Sequence, residues 1–253
     1  MTKPAKPGSF RKFIEDKIHA IPGCVDIDDL MRREPESKKA DYLLYDRNVI
    51  VEQKEYGNSP QHMEKGRRYQ EYVGGLFKKY GIDADALDDS NRDESFGLLS
   101  AEEVAHLRKL KNDFYDKIKD EMHKANIQIQ STKRVLGLPD AVGVVLVIFD
   151  RVNGIMPDVI SQRVFRAFDI LKEGEPLYKH VDVFIYSLYM RDLLYNGHSQ
   201  VNGQITREGS LRSIEYARRI LDDLGENKGS ARPYKTVSKD DIVKQLVPNV
   251  FEK

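Results

Sequence analysis

KADYLLYDRNVIVEQKEY, residues 39–56, reads as two short apolar strands, residues 42–44 and 49–51, joined by a polar turn at Asp46-Arg47-Asn48. Acidic residues stand where buried strands should not carry them, and such conflicts between pattern and charge mark functional positions. Asp41 opens the first strand, while Glu52 and Lys54 close the second. For antiparallel arms around a tight loop with an even number of residues, Tyr45 faces Asn48 and Leu43 faces Ile50, which sets Asp41 opposite Glu52. Lys54 lies two residues past Glu52 and so projects from the same face. A slip of one residue would send Asp41 to the other face.

Two neighbouring carboxylates repel one another, and a divalent cation between them keeps both ionised. Oxygen ligands of this type suit Mg²⁺ or Mn²⁺. Lys54 is then placed to orient or deprotonate a metal-bound water and to offset developing charge, which is the chemistry of phosphodiester hydrolysis. The plainer alternative is a surface hairpin with an Asp41–Lys54 ion pair, worth little energetically.

Asp41, about ten residues, then Glu52-Gln53-Lys54 on an apolar strand resembles the PD-(D/E)XK nuclease superfamily. The resemblance covers roughly residues 9–80 and is clearest over 39–56. It implies a restriction-endonuclease-like fold in which Asp41 and Glu52 hold the metal and Lys54 serves the attacking water. It further implies the backbone carbonyl of Gln53 as a metal ligand and Glu15, on the preceding helix, as an additional acid. An exposed acid favoured by the helix dipole is the alternative reading of Glu15. Ala40 stands where the family name has proline, and no Gln-x-x-x-Tyr signature follows, which argues against the RecB-like branch.

The chain has 253 residues, 40% of them hydrophobic, enough to bury a sizeable core. No apolar run is long enough to span a bilayer, and residues 1–8 carry charge without an apolar segment behind it, so a flexible arm and a cytoplasmic protein are expected. A single cysteine, Cys24, excludes an internal disulfide and is expected to pack as a small apolar side chain. The 41 basic residues balance 41 acidic ones, so attraction to nucleic acid requires basic groups gathered on one face.

Working outward, Phe10, Phe13, Ile14 and Ile18 follow helical spacing, with Ser9 as N-cap and Pro22-Gly23 as the stop. A second helix is expected over residues 61–80, and its Lys65, Arg67 and Arg68 could grip phosphates or simply form a charged outer face. Residues 81–95 read as an acidic loop. Ser100 and Glu103 set a capping box for a long helix to about Ile129, striped by Val104, Leu107, Leu110, Phe114, Ile118, Met122 and Ala125. A helix this long suggests an insertion or a homodimer surface, with core packing as the alternative. AVGVVLVIF, residues 141–149, fits a strand buried on both faces at the centre of a mixed sheet. Asp140 follows a proline but has no Glu-x-Lys after it, so it is set aside. Residues 159–171 read as a helix, 181–189 as a strand, 195–206 as a polar loop and 206–224 as a helix with Gly225 as its cap. The six histidines show no two-ligand spacing on one helix.

The expectation is therefore an α/β fold, a restriction-endonuclease-like mixed central sheet flanked by helices, with a long helical insertion near residues 100–129. The domain spans residues 9–225, preceded by the arm and followed by a linker and short helix in 226–253. The expected function is that of a Mg²⁺- or Mn²⁺-dependent endonuclease with DNA, or alternatively RNA, as partner. The alternative is an inactive nuclease-like fold that binds nucleic acid or assembles with protein.

Overall fold

The computed structural model describes residues 9–31, 38–56, 60–82, 97–150, 157–191, 198–207 and 210–225. The hairpin forms in the register that loop parity requires. Strand β2 (Tyr42–Leu44) pairs antiparallel with β3 (Val49–Tyr56), with Leu43 opposite Ile50 and Tyr42 opposite Val51. The turn between them is left-handed through three residues, Tyr45, Asp46 and Arg47, with φ of 50°, 54° and 66°. Consecutive left-handed residues that are not glycine cost about 1 kcal/mol or more each. Tyr45 holds the turn down: its hydroxyl donates to Asp223 Oδ2 at 2.5 Å, and Arg219 lies 4.1 Å from its ring centroid. Asn48 adds a side-chain bond from Nδ2 to the Tyr45 carbonyl at 2.9 Å.

The run expected at the centre of the sheet is there. Strand β4 (Val142–Asp150) lies parallel to β3 on one side and to β7 (Val183–Arg191) on the other. A short β1 (Val25–Asp26) pairs with β2, and β8 (His198–Thr206) closes the far edge antiparallel to β7, giving the order β1-β2-β3-β4-β7-β8. Two further short strands, β5 (Leu171–Lys172) and β6 (Glu175–Pro176), form a separate ribbon.

Side-chain alternation divides the core into two layers. Val144, Leu146 and Ile148 point to one face, where helices α1 (Ser9–His19) and α6 (Leu211–Leu224) bring Phe10, Ile14, Ile18, Ala217, Ile220 and Leu221. Cys24 packs at the margin of this layer, as its expected apolar role requires. Val145, Val147 and Phe149 point to the other face, covered by α4 (Ala101–Leu136) and α5 (Pro157–Phe168). A single turn, α2 (Ile27–Leu30), sits beside β1, and α3 (Pro60–Tyr80) packs outside α4. The chain is thus a mixed α/β protein with helices on both faces of one sheet.

The helix expected over 159–171 runs instead from Pro157 to Phe168, with Leu171 in β5, and three further expectations change. The long helix does not stop near Ile129 but runs for 36 residues to Leu136, ended by Gly137 at φ 66°. Its stripe from Ile118 to Ile129 is buried against the chain's own sheet, so this half belongs to the core, the alternative given to the insertion and dimer readings. The polar segment at 195–206 is not a loop throughout: His198–Thr206 is a strand. As an edge strand it pairs on one side only, and Gly203 lets the Tyr186 ring lie against its backbone. Helix α6 accordingly begins at Leu211, capped by Ser210, rather than at Thr206. The N-terminal arm, most of the acidic loop at 81–95 and the segment 226–253 lie outside the described residues. No helix among the described residues is long and apolar enough to cross a membrane.

Candidate functional site

Alternation along β3 sends Glu52, Lys54 and Tyr56 to the face shared with Ile50, under α4, while Val51, Gln53 and Glu55 face the α1 side. Asp41 stands one residue beyond the Tyr42–Val51 pair, where the ladder ends. Three backbone-linked bonds fix it: its N–H donates to the Val51 carbonyl at 3.0 Å, its carbonyl accepts from Ile27 at 2.9 Å, and Oδ2 accepts the Gln53 N–H at 2.7 Å. The ammonium of Lys54 pairs with Glu52 Oε1 and donates to Gln128 Oε1, the latter at 2.9 Å. Lys54 is thus joined to Glu52, and not to Asp41 as the surface-hairpin alternative requires.

Charge ties the three groups together. Glu52 is only 1% exposed, and its carboxyl is raised to about 8, first by burial and then by the negative charge of Asp41. Lys54 and the Gln128 amide pull it back down without cancelling those effects. Asp41 is also raised, by burial above all, against the opposing pull of the Gln53 N–H and of Lys54. These are two carboxylates that resist being ionised together.

Glu15 is placed across the sheet from that pair. Its Oε1 accepts from Arg11 Nε at 2.6 Å and from Gln53 Nε2 at 3.2 Å. Arg11 also approaches Glu55 at 3.5 Å, so this side carries its own small ionic group around the Gln53 side chain. Gln53 therefore touches both groups: its backbone N–H binds Asp41, and its side chain binds Glu15.

A hard divalent cation takes oxygen donors, and Asp41 and Glu52 supply two carboxyl groups. Glu52 Oε2 is buried and has no hydrogen-bond partner among the described residues, and a buried polar oxygen without a partner is costly; Gln53 Oε1 is likewise without a partner but lies on the α1 side with Glu15. No group of three or more His, Cys, Asp or Glu able to hold a metal occurs among the described residues. Two carboxylates with a carbonyl would leave other positions to water, a donor set that Mg²⁺ accepts.

The basic residues expected to grip nucleic acid lie on α3 and are already engaged. Arg67 pairs with Glu64 at 2.7 Å and with Glu71, Arg68 pairs with Glu64 at 2.9 Å, and Lys65 donates to the Asp113 carbonyl at 3.2 Å. Two residues at the carboxylate pair escape a reading of sequence pattern. Gln128 Nε2 donates to the Lys39 carbonyl at 2.9 Å, and buried Thr132 Oγ1 accepts the Ala40 N–H at 2.9 Å. Their one visible signal is a polar pair four residues apart flanking the stripe of α4. No family model, curated protein or solved structure matches the chain.

Proposed function

We propose that the protein is a Mg²⁺- or Mn²⁺-dependent phosphodiesterase acting on DNA, with the restriction-endonuclease-like fold and PD-(D/E)XK chemistry. The observation that carries this reading is that Asp41, held by the Gln53 N–H, adds its charge to a buried Glu52 carboxyl whose Oε1 pairs with Lys54 and whose Oε2 has no partner among the described residues. A mixed six-stranded sheet with helices on both faces accommodates the fold.

In this reading Asp41, Glu52 and the carbonyl of Gln53 hold the cation. The cation supplies Lewis acidity toward a phosphoryl oxygen and acidifies a bound water. Lys54, a half-buried ammonium secured by Glu52 and Gln128, has a third N–H to offer to the attacking water or to a non-bridging phosphate oxygen. Burial strengthens that interaction by keeping the surrounding dielectric low. Gln53 keeps Asp41 turned toward the pair through its N–H.

The test is cleavage of plasmid DNA and of RNA with Mg²⁺ or Mn²⁺ by the wild type and by Lys54→Ala. The variant is expected to lose about 10²–10⁴-fold in rate with its fold intact. Absence of cleavage by the wild type, or equal rates in both, overturns the reading. A second reading, a nuclease-like fold that assembles or binds without turnover, is favoured by the engagement of Arg67 and Arg68 with Glu64 and Glu71 and by the zero formal charge. It gains if metal binds and no nucleic acid is cut.

A further inference from the structure

We infer that Gln128 is a positioning residue, one amide that ties the Lys54 ammonium and the segment bearing Asp41 to the same rigid helix. This inference rests on reading Asp41, Glu52 and Lys54 as the working groups. The two ends of the Gln128 side chain do different things: Oε1 accepts from Lys54 Nζ at 2.9 Å, and Nε2 donates to the Lys39 carbonyl at 2.9 Å, two residues before Asp41. One turn further along α4, Thr132 takes the Ala40 N–H at 2.9 Å. Residues 39 and 40 are therefore fastened to α4 immediately before the chain delivers Asp41.

The helix is a firm base for these ties. Met122, Ala125 and Ile129, within a turn or two of Gln128, are fully buried against the sheet, so α4 cannot slide without opening the core. Lysine has four rotatable side-chain bonds and three donors, and two fixed acceptors, Glu52 and Gln128, select one arrangement of its head group. Supporting bonds of this kind around a reactive group are worth about 10–100-fold in affinity or activity.

The test compares Gln128→Met, which keeps the length and removes both bonds, with Gln128→Glu, which keeps an acceptor for Lys54 and loses the donor to Lys39. Gln128→Asn, one methylene shorter, serves as a second disrupting variant if Gln128→Met fails to fold. The first readout is the rate at which an amine-reactive reagent modifies Lys54 in the native protein, followed by peptide mass spectrometry. A rise of about tenfold is expected in Gln128→Met and Gln128→Asn, with Gln128→Glu close to the wild type. The second is plasmid cleavage, where Gln128→Met is expected to lower kcat about 10–100-fold at unchanged KM. Unchanged labelling in both disrupting variants overturns the inference, as does Gln128→Glu labelling as fast as they do. If the wild type cuts no nucleic acid, the proposed hydrolase fails, while the labelling rates still decide whether Gln128 holds Lys54.

Discussion

The backbone N–H of Gln53 donates to Oδ2 of Asp41 over 2.7 Å, and this bond joins the two arms of the hairpin just beyond their last paired residues. It holds a carboxylate beside the strand that carries Glu52, whose own carboxyl is raised partly by that charge. The arrangement carries a cost in the absence of a cation, and the cost depends on pH.

Glu52 titrates near 8 in the folded protein against an ordinary value of 4.5. At pH below 4.5 both folded and unfolded chains hold this proton, and Glu52 imposes no penalty. Between 4.5 and 8 the unfolded chain has released the proton while the folded chain retains it, so stability falls as pH rises, by about 1.4 kcal/mol per unit at most. Above 8 the loss is complete. Urea unfolding in EDTA at pH 5 and pH 9 is expected to give a stability difference between wild type and Glu52→Gln that shifts in favour of the variant at the higher pH. A difference independent of pH contradicts the raised carboxyl.

The hairpin register was legible in the sequence because two apolar triplets and an even loop leave one pairing that keeps Leu43 and Ile50 together. Strand β4 was legible as well, since an unbroken run of β-branched residues suits a strand covered on both faces. The end of α4 was not. Ser131, Thr132, Lys133 and Arg134 look like a solvated helix terminus, and Thr132 is buried only because it meets Ala40, 92 positions away. Gln128 was hidden for the same reason, as its partner Lys54 is 74 residues distant. Edge strand β8 lacks an apolar alternation because half its backbone pairing is enough to hold it, and local pattern therefore reads it as loop.

Arg67 and Arg68 are held by acids on their own helix, so they are available to phosphate only in competition with Glu64 and, for Arg67, Glu71. If α3 faces DNA, the double variant Glu64→Gln, Glu71→Gln frees both guanidinium groups. Fluorescence anisotropy with a short duplex at low salt is then expected to show affinity rising about three- to tenfold, with a steeper salt dependence. Unchanged affinity removes α3 from the interface.

Glycine positions separate core constraint from helix propensity. A Cβ on Gly143 would collide with the His180 carbonyl oxygen and meet Ile129 Cγ2 at 3.0 Å, while both polar backbone groups of Gly143 are bonded to Asp182 at 2.8 Å. Gly143→Ala is expected to destabilise by about 3 kcal/mol in urea unfolding. A Cβ at Gly74 or Gly75 on α3 would meet no neighbouring group within 4 Å outside its own helix backbone, and alanine at either is expected to stabilise by about 0.5–1 kcal/mol.

The most direct test of the site is calorimetric titration of Mn²⁺ into the wild type, Asp41→Asn and Glu52→Gln at pH 8. Expected is saturable binding by the wild type, weakened at least about tenfold in each variant. A wild type that takes up no Mn²⁺, or variants that bind it as tightly, would contradict the assignment of Asp41 and Glu52 as a cation-binding pair.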